Sequence, residues 1–255
     1  MQALSRKKRD AALDAIKAAC EAYINGPLLE QLSSIAAATA ERIGLPAHWL
    51  RVTPHDGDSQ TLLVLYPTAT PADGYIDKAV KIESGAKSAL DPNALHSIRP
   101  YVHEDAPDLD LTVPNVTIVD AERTFWDKVV ILHGLRRWFD IRGELRGGGQ
   151  RVSRHYYDIH MLMASDVGQK TLANPALGAD CVAHARMFFN RPDFDLASAV
   201  ASSFALCPDG AMYDDLRRDY AAMSTMIFGV APDFDAVIES VAALQSKLND
   251  TPSRD

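Results

Sequence analysis

Two residues, Lys128 and Asp158, set a charged head among apolar neighbours, and chemistry is best sought there first. At helical spacings of three and four, Asp158 lines up with Arg154, Met161 and Leu162, so a carboxylate shares a face with core-type side chains. By the same rule Lys128 stands beside Phe125 and Leu132. A carboxylate on such a face must be hydrogen-bonded, paired or neutralised. Arg154, one turn earlier, is a candidate partner, and the site would then be structural. A lysine on an apolar stripe either snorkels to water or, turned into a cleft, offers a phosphate a point charge. The residues alone leave both readings open, a structural ion pair or catalytic groups.

Two further groups carry potential chemistry. Ala79-Val-Lys-Ile-Glu83 alternates as a strand would, which puts Lys81 and Glu83 on one face, and the small-residue turn Ser84–Ser88 holds Lys87. A carboxylate at a sheet edge suits a metal or a general base; an exposed polar face is the alternative. Between Arg136 and Arg154 the chain places Arg136, Arg137, Arg142, Arg146, Arg151 and Arg154 against only Asp140 and Glu144, with Gly147–Gly149 as a flexible insert. This is a basic patch suited to phosphate or RNA backbone, with Arg142, Arg146 and Arg151 as its candidates; a solvated helix connection is the alternative. The histidines do not make a metal set: His155 and His160 are five apart, and no HExxH occurs. Asp56-Gly57-Asp58 reads as a hairpin turn, and Asp108-Leu109-Asp110 lies in a loop rich in Pro and Asp. No GxSxG, P-loop or dinucleotide-binding fingerprint is present.

These residues require elements to hold them. Helical periodicity runs from Lys7 to Ile24, is expected to break at Asn25-Gly26-Pro27, and resumes from Leu28 to Ile43 before Gly44. Strands are expected at Trp49–Pro54 and Thr61–Tyr66. After a loop over Pro67–Gly74, others follow at Ala79–Glu83, Ile98–Val102 and Val116–Val119, making one mixed sheet. Asp120 is a good N-cap for the helix bearing Lys128, with Glu122 in its first turn. The second motif helix bears Asp158, and further helices are expected at Asn174–Asn190, Tyr213–Ile227 and Phe234–Leu248, followed by a polar tail from Asn249. The expected organisation is α+β: a partial α/β domain over 1–119 and a helical domain over 120–255.

With 255 residues, 47% of them hydrophobic, the chain can bury a sizeable core. A net charge of -8 argues against indiscriminate coating of nucleic acid and leaves room for a local basic site. Cys20, Cys181 and Cys207 lack CxxC spacing and read as free thiols of a reducing compartment. Nothing resembles a signal peptide or a membrane span, so the expected location is the cytoplasm.

Asp120-Ala-Glu-Arg-Thr-Phe-Trp-Asp-Lys128, followed by Arg154-His-Tyr-Tyr-Asp158-Ile-His-Met-Leu162, resembles the paired C-terminal motifs of the AbiEii/AbiGii toxin family of nucleotidyltransferases. Val80-Lys-Ile-Glu-Ser-Gly-Ala-Lys-Ser88 is similar to that family's strand ending in an acid and a Gly-containing turn. The resemblance implies a nucleotidyltransferase-like fold with a helical C-terminal half. It also implies a toxin that transfers a nucleotide from an NTP with Mg²⁺, in some members to tRNA, alongside a cognate antitoxin. Carried over by position, Lys128 would contact the triphosphate, Asp158 would be the acting acid, and Glu83 would hold metal as a third carboxylate. Lys81, Lys87 and Arg154 would be candidates for the nucleotide's phosphates. The logic suits phosphoryl transfer, which needs carboxylate-held metal and cations on the triphosphate.

The sequence departs from the pattern in one respect. The family's Gly-Gly-Thr/Ser helix start and metal-binding DxD strand have no counterpart here. The expectation is therefore a chain lacking that N-terminal part, inactive by itself unless the missing carboxylates are supplied, for example by a separately encoded half. The alternative is a non-catalytic remnant that binds RNA or an antitoxin.

Overall fold

The computed structural model describes residues 5–68 and 79–250; most of the expected Pro67–Gly74 loop and the end of the polar tail lie outside them. The chain divides into two compact units, Met1–Ser88 and Ala89–Asp255.

In the first unit, α1 (Arg6–Tyr23) and α2 (Leu29–Arg42) are joined by a π-helical turn over Ile24–Leu28, where the sequence suggested a break. Proline lacks an N–H and clashes with the carbonyl four residues earlier in an α-helix, and one widened turn absorbs both defects without ending the helix. Asn25 secures this turn by donating Nδ2 to Glu21 O (2.9 Å) and to Ser59 O (2.7 Å), while Ile24 is buried beneath it. An antiparallel sheet follows, ordered β1 (Arg51–His55), β2 (Asp58–Leu65), β3 (Ala79–Glu83). Asp56 and Gly57 form the β1–β2 turn as expected, and Asp58 opens β2 opposite His55; its carboxylate accepts from Gln60 N–H (3.0 Å) and Thr61 Oγ1 (2.7 Å), which hold its pKa below the usual range.

β4 (Asn93–Ile98) and β5 (Val113–Val119) pair antiparallel as a sheet in the second unit, so among the described residues the strands form two small antiparallel sheets where one mixed sheet was expected. Alternation in sequence identifies strands but not their partners. β4 also lies earlier than expected, because Pro100 cannot donate to a ladder and Tyr101–His103 turns as a 3₁₀ helix.

The rest of this unit is helical: α3 (Ala121–Arg142), α4 (Arg154–Met163), α5 (Asp166–Leu172), α6 (Pro175–Phe188), α7 (Gly210–Met223) and α8 (Phe234–Asn249). α3 is central, packing on α4, α5 and α6, and α4 packs in turn on α8. Phe125, Val129 and Leu132 of α3, Tyr156 and Ile159 of α4, and Val237, Val241 and Leu244 of α8 are fully buried. Each apolar side chain so buried contributes roughly 2 kcal/mol. Gly178 lets α6 lie flat on the Trp126 indole, since a Cβ there would meet the ring at 2.8 Å. Asp120 sits at the N-cap position of α3 without a side-chain cap bond; its N–H donates to Pro92 O (2.9 Å), and Arg123 Nη1 donates to Asp91 O (3.2 Å). These bonds fasten the base of the β4–β5 hairpin to the start of α3. Among the described residues, no helix is long and apolar enough to cross a membrane.

Candidate active site at the α3–α4 junction

Helical geometry explains why Lys128 and Asp158 meet. Phe125 and Leu132 bury the flanks of Lys128, which pins that segment of α3 against the core and leaves the lysine at the margin. On α4, Tyr156 and Ile159 are buried, so Asp158 falls beside the same margin. The lysine Nζ stands 2.6 Å from Asp158 Oδ2, with the two side chains 20% and 36% exposed. The acid's partner is thus Lys128 of the neighbouring helix, where the sequence had suggested Arg154, which is exposed. This is a part-buried pair that ligand can reach from solvent.

His155, one turn before Asp158, completes the group. Lys128 Nζ donates to its Nδ1 at 3.1 Å. Burial, reinforced by Lys128 and Arg154, pushes the His155 pKa down to about 3. The ring is therefore neutral near pH 7 and presents a lone pair to the ammonium, with its proton on Nε2. The sequence offered a signal for this residue, since His155 lies three before Asp158 and one before a core tyrosine. Considering it only as a metal ligand concealed its role.

The start of α4 is held from a distance. Asp219 of α7 is largely buried, and its carboxylate accepts from Arg151 N–H (2.7 Å), Ser153 N–H (2.7 Å) and Ser153 Oγ (2.6 Å). It does for α4 what an N-cap side chain does, satisfying donors that have no intrahelical acceptor. Arg151 takes a left-handed backbone (φ 61°) to deliver its N–H. Asp219 escaped sequence reading although it meets the criterion that singled out Asp158: it lies three and four residues from the buried Leu216 and Met223. His160 anchors the other end of α4, donating from Nδ1 to Ser240 Oγ on α8 (2.7 Å), whose hydroxyl donates onward to Ala236 O (3.1 Å).

Lys81 and Glu83 share a face of β3 as expected, and pair with each other at 2.6 Å with both side chains substantially exposed. The turn carrying Lys87 is fixed by Ala86 N–H donating to Gln60 Oε1 (3.0 Å). Lys81, Glu83 and Lys87 lie in the first compact unit, while Lys128, Arg154, His155 and Asp158 lie in the second.

The arginine-rich stretch is less of a loop than its composition suggested, because α3 continues to Arg142 and stops at Gly143, which takes φ 68°. Arg136 pairs with Asp140 (2.8 Å) and Asp209 (2.7 Å), and Arg142 Nε donates to Asp193 Oδ2 (2.8 Å). Arg146 lies 5.3 Å over the Phe194 ring, and burial lowers its pKa. An open hollow of about 460 Å³ beside the glycine turn is lined by Glu144, Asp215 and Asp219 as well as Arg218, so that side is not uniformly cationic.

Mg²⁺ needs hard oxygen ligands, commonly one or two carboxylates plus substrate phosphates. Among the described residues no three His, Cys, Asp or Glu side chains come together as a metal site, and Asp158 and Glu83 each face a lysine. The described residues do not fit a metal centre of their own.

Comparison with known proteins assigns the sequence to a family. Residues 3–240 match the family model described as the nucleotidyl transferase AbiEii toxin of a type IV toxin–antitoxin system. That segment takes in both helices on which Lys128, His155 and Asp158 lie. No curated protein and no solved structure matches the chain. The match spans most of the sequence and agrees with the paired helix motifs, so the chain belongs to the AbiEii nucleotidyl transferase toxin family of type IV toxin–antitoxin systems.

Proposed function

We propose that this toxin serves transfer of a nucleotide from an NTP, presented as its Mg²⁺ complex, to an acceptor such as tRNA, with the α3–α4 junction as the reacting edge. The observation that carries the reading is the part-exposed contact of Lys128 Nζ with Asp158 Oδ2 at 2.6 Å, made between the two motif helices. Lys128 supplies a cation for the triphosphate. Asp158 orients that cation and is placed to accept a proton from an incoming hydroxyl. Arg154 lies one helical turn before Asp158 on the same helix. The carboxylates that a catalytic metal requires come from outside the described residues, on this polypeptide or on a separately encoded one, and the cytoplasm is the compartment where NTP and tRNA meet.

The test is transfer of label from radiolabelled NTPs to total tRNA, with the purified chain and with cells expressing it. Label incorporation and growth arrest that both vanish in Asp158→Asn and Lys128→Met are the expected result. Incorporation that persists unchanged in both variants would sink the assignment.

One observation favours a second reading, a non-catalytic chain that binds RNA or the cognate antitoxin: the described residues build no metal centre. On this reading RNA affinity falls steeply with salt and falls again in an Arg146→Ala, Arg151→Ala double variant. Absence of RNA binding at low salt removes the RNA arm of it.

A further inference from the structure

The ammonium of Lys128 has three N–H donors, and among the described residues two are taken: one by the Asp158 carboxylate at 2.6 Å, one by His155 Nδ1 at 3.1 Å. A lysine on a flexible four-carbon stem held by one carboxylate alone can swing about it. Held from two directions by groups one helical turn apart on α4, it cannot, and its third N–H then points in a fixed direction. Both anchors ride on a helix fixed at one end by Asp219 and at the other by Ser240.

The groups facing the ring define what it can do. Lys128 approaches from α3 and Arg154 from its own helix, both cationic, and Asp158 faces the same ammonium. An imidazolium at this position would repel Lys128 and would have no lone pair left to accept from it. The ring can hold Lys128 only as a neutral acceptor.

We propose that His155 is a positioning residue that fixes the Lys128 ammonium against Asp158, so that its remaining N–H meets a phosphate oxygen of the substrate. The proposal rests on the reading of Lys128 as the triphosphate contact, but the positioning itself is measurable without any substrate. The side-chain ammonium of an immobilised lysine exchanges slowly enough to give a ¹H–¹⁵Nζ NMR cross-peak in the cold at mildly acidic pH, and Lys128→Met assigns it. His155→Leu is expected to abolish this cross-peak, while His155→Asn, whose carboxamide oxygen can also accept, retains it. Binding of inorganic tripolyphosphate is expected to weaken roughly tenfold in His155→Leu, the scale of one charge-assisted hydrogen bond, and to be largely rescued in His155→Asn. Circular dichroism of both variants checks the fold. A Lys128 cross-peak that survives in His155→Leu overturns the proposal, as does its loss to the same degree in His155→Asn with the fold intact. If the cross-peak behaves as expected but the unmodified chain does not bind tripolyphosphate, the positioning role stands and the triphosphate reading falls.

Discussion

Lys128 and Asp158 hold each other at a surface margin, and that location separates their worth to stability from their worth to function. Part-exposed ion pairs contribute little to folding, so Asp158→Asn and Lys128→Met are each expected to cost less than about 1 kcal/mol in urea unfolding. The same substitutions should lower nucleotide transfer by roughly a hundredfold or more, and the double variant should be scarcely worse than either single one, because the two residues act as one unit. His155 and His133 make a different prediction. His155 is pushed to about 3, and His133, fully buried, is also lowered because burial disfavours its charge. His133 accepts from Ala205 N–H at Nδ1 and donates from Nε2 to Asp195 O, bonds that require the neutral ring. Each unfolded histidine takes up its proton near pH 6.5, before the folded one does. Stability should therefore be fully present above that pH and decline as pH falls below it, by up to about 1.4 kcal/mol per pH unit for each ring, until the folded-state pKa is reached. Urea unfolding at a series of pH values measures the slope, and His155→Asn should reduce it.

At the scale of elements, α4 is short and depends on neighbours for its place. Asp219→Ala would leave the Arg151 and Ser153 N–H groups without their acceptor and is expected to cost about 3 kcal/mol, read as a lowered denaturant midpoint. Because α4 carries two of the three site residues, Lys128 order should suffer in the same variant. Gly178→Ala tests the α3–α6 packing: a methyl at 2.8 Å from the Trp126 ring must push the helices apart, for about 1–3 kcal/mol, visible as a red-shifted tryptophan emission. Much at this scale was legible beforehand. β3 follows alternation, β2 follows its apolar run beyond the Asp56–Gly57 turn, and α6 and α8 appear as the helices expected there, since such signals are local. Elsewhere the deciding contact was distant. Asn25 reaches Ser59 to stabilise a π turn that a local rule reads as a break, and Asp219 caps a helix 66 residues earlier. The ion pair was half legible: each residue announced itself by its apolar neighbours, but only the packing of α3 on α4 showed that they were each other's partners.

The whole molecule consists of two units with unequal cores. In the second, α3, α4, α7 and α8 together bury many large side chains, whereas the described part of the first buries chiefly Ile24, Ala36, Ala40, Thr61 and Leu62. Residues 89–255 expressed alone are expected to melt cooperatively, and residues 1–88 alone to lack a sigmoidal transition, because a core of that size does not offset the chain entropy. Calorimetry on the two fragments decides. The division also explains why composition could not assign β4 and β5: their sequence reads as sheet, yet their first tether is Asp120 and Arg123 at the head of a helix. The grip of Asp219 on the start of α4 has a further consequence, in the order of biosynthesis. Lys128, His155 and Asp158 are translated well before α7 and α8, yet the helix that aligns two of them is seated by Asp219 and Ser240. The nascent chain on the ribosome therefore carries these three candidate side chains without the anchors of α4 until almost the last helix has emerged. A chain that ends before Asp219 holds every motif residue but has neither the Asp219 nor the Ser240 anchor of α4.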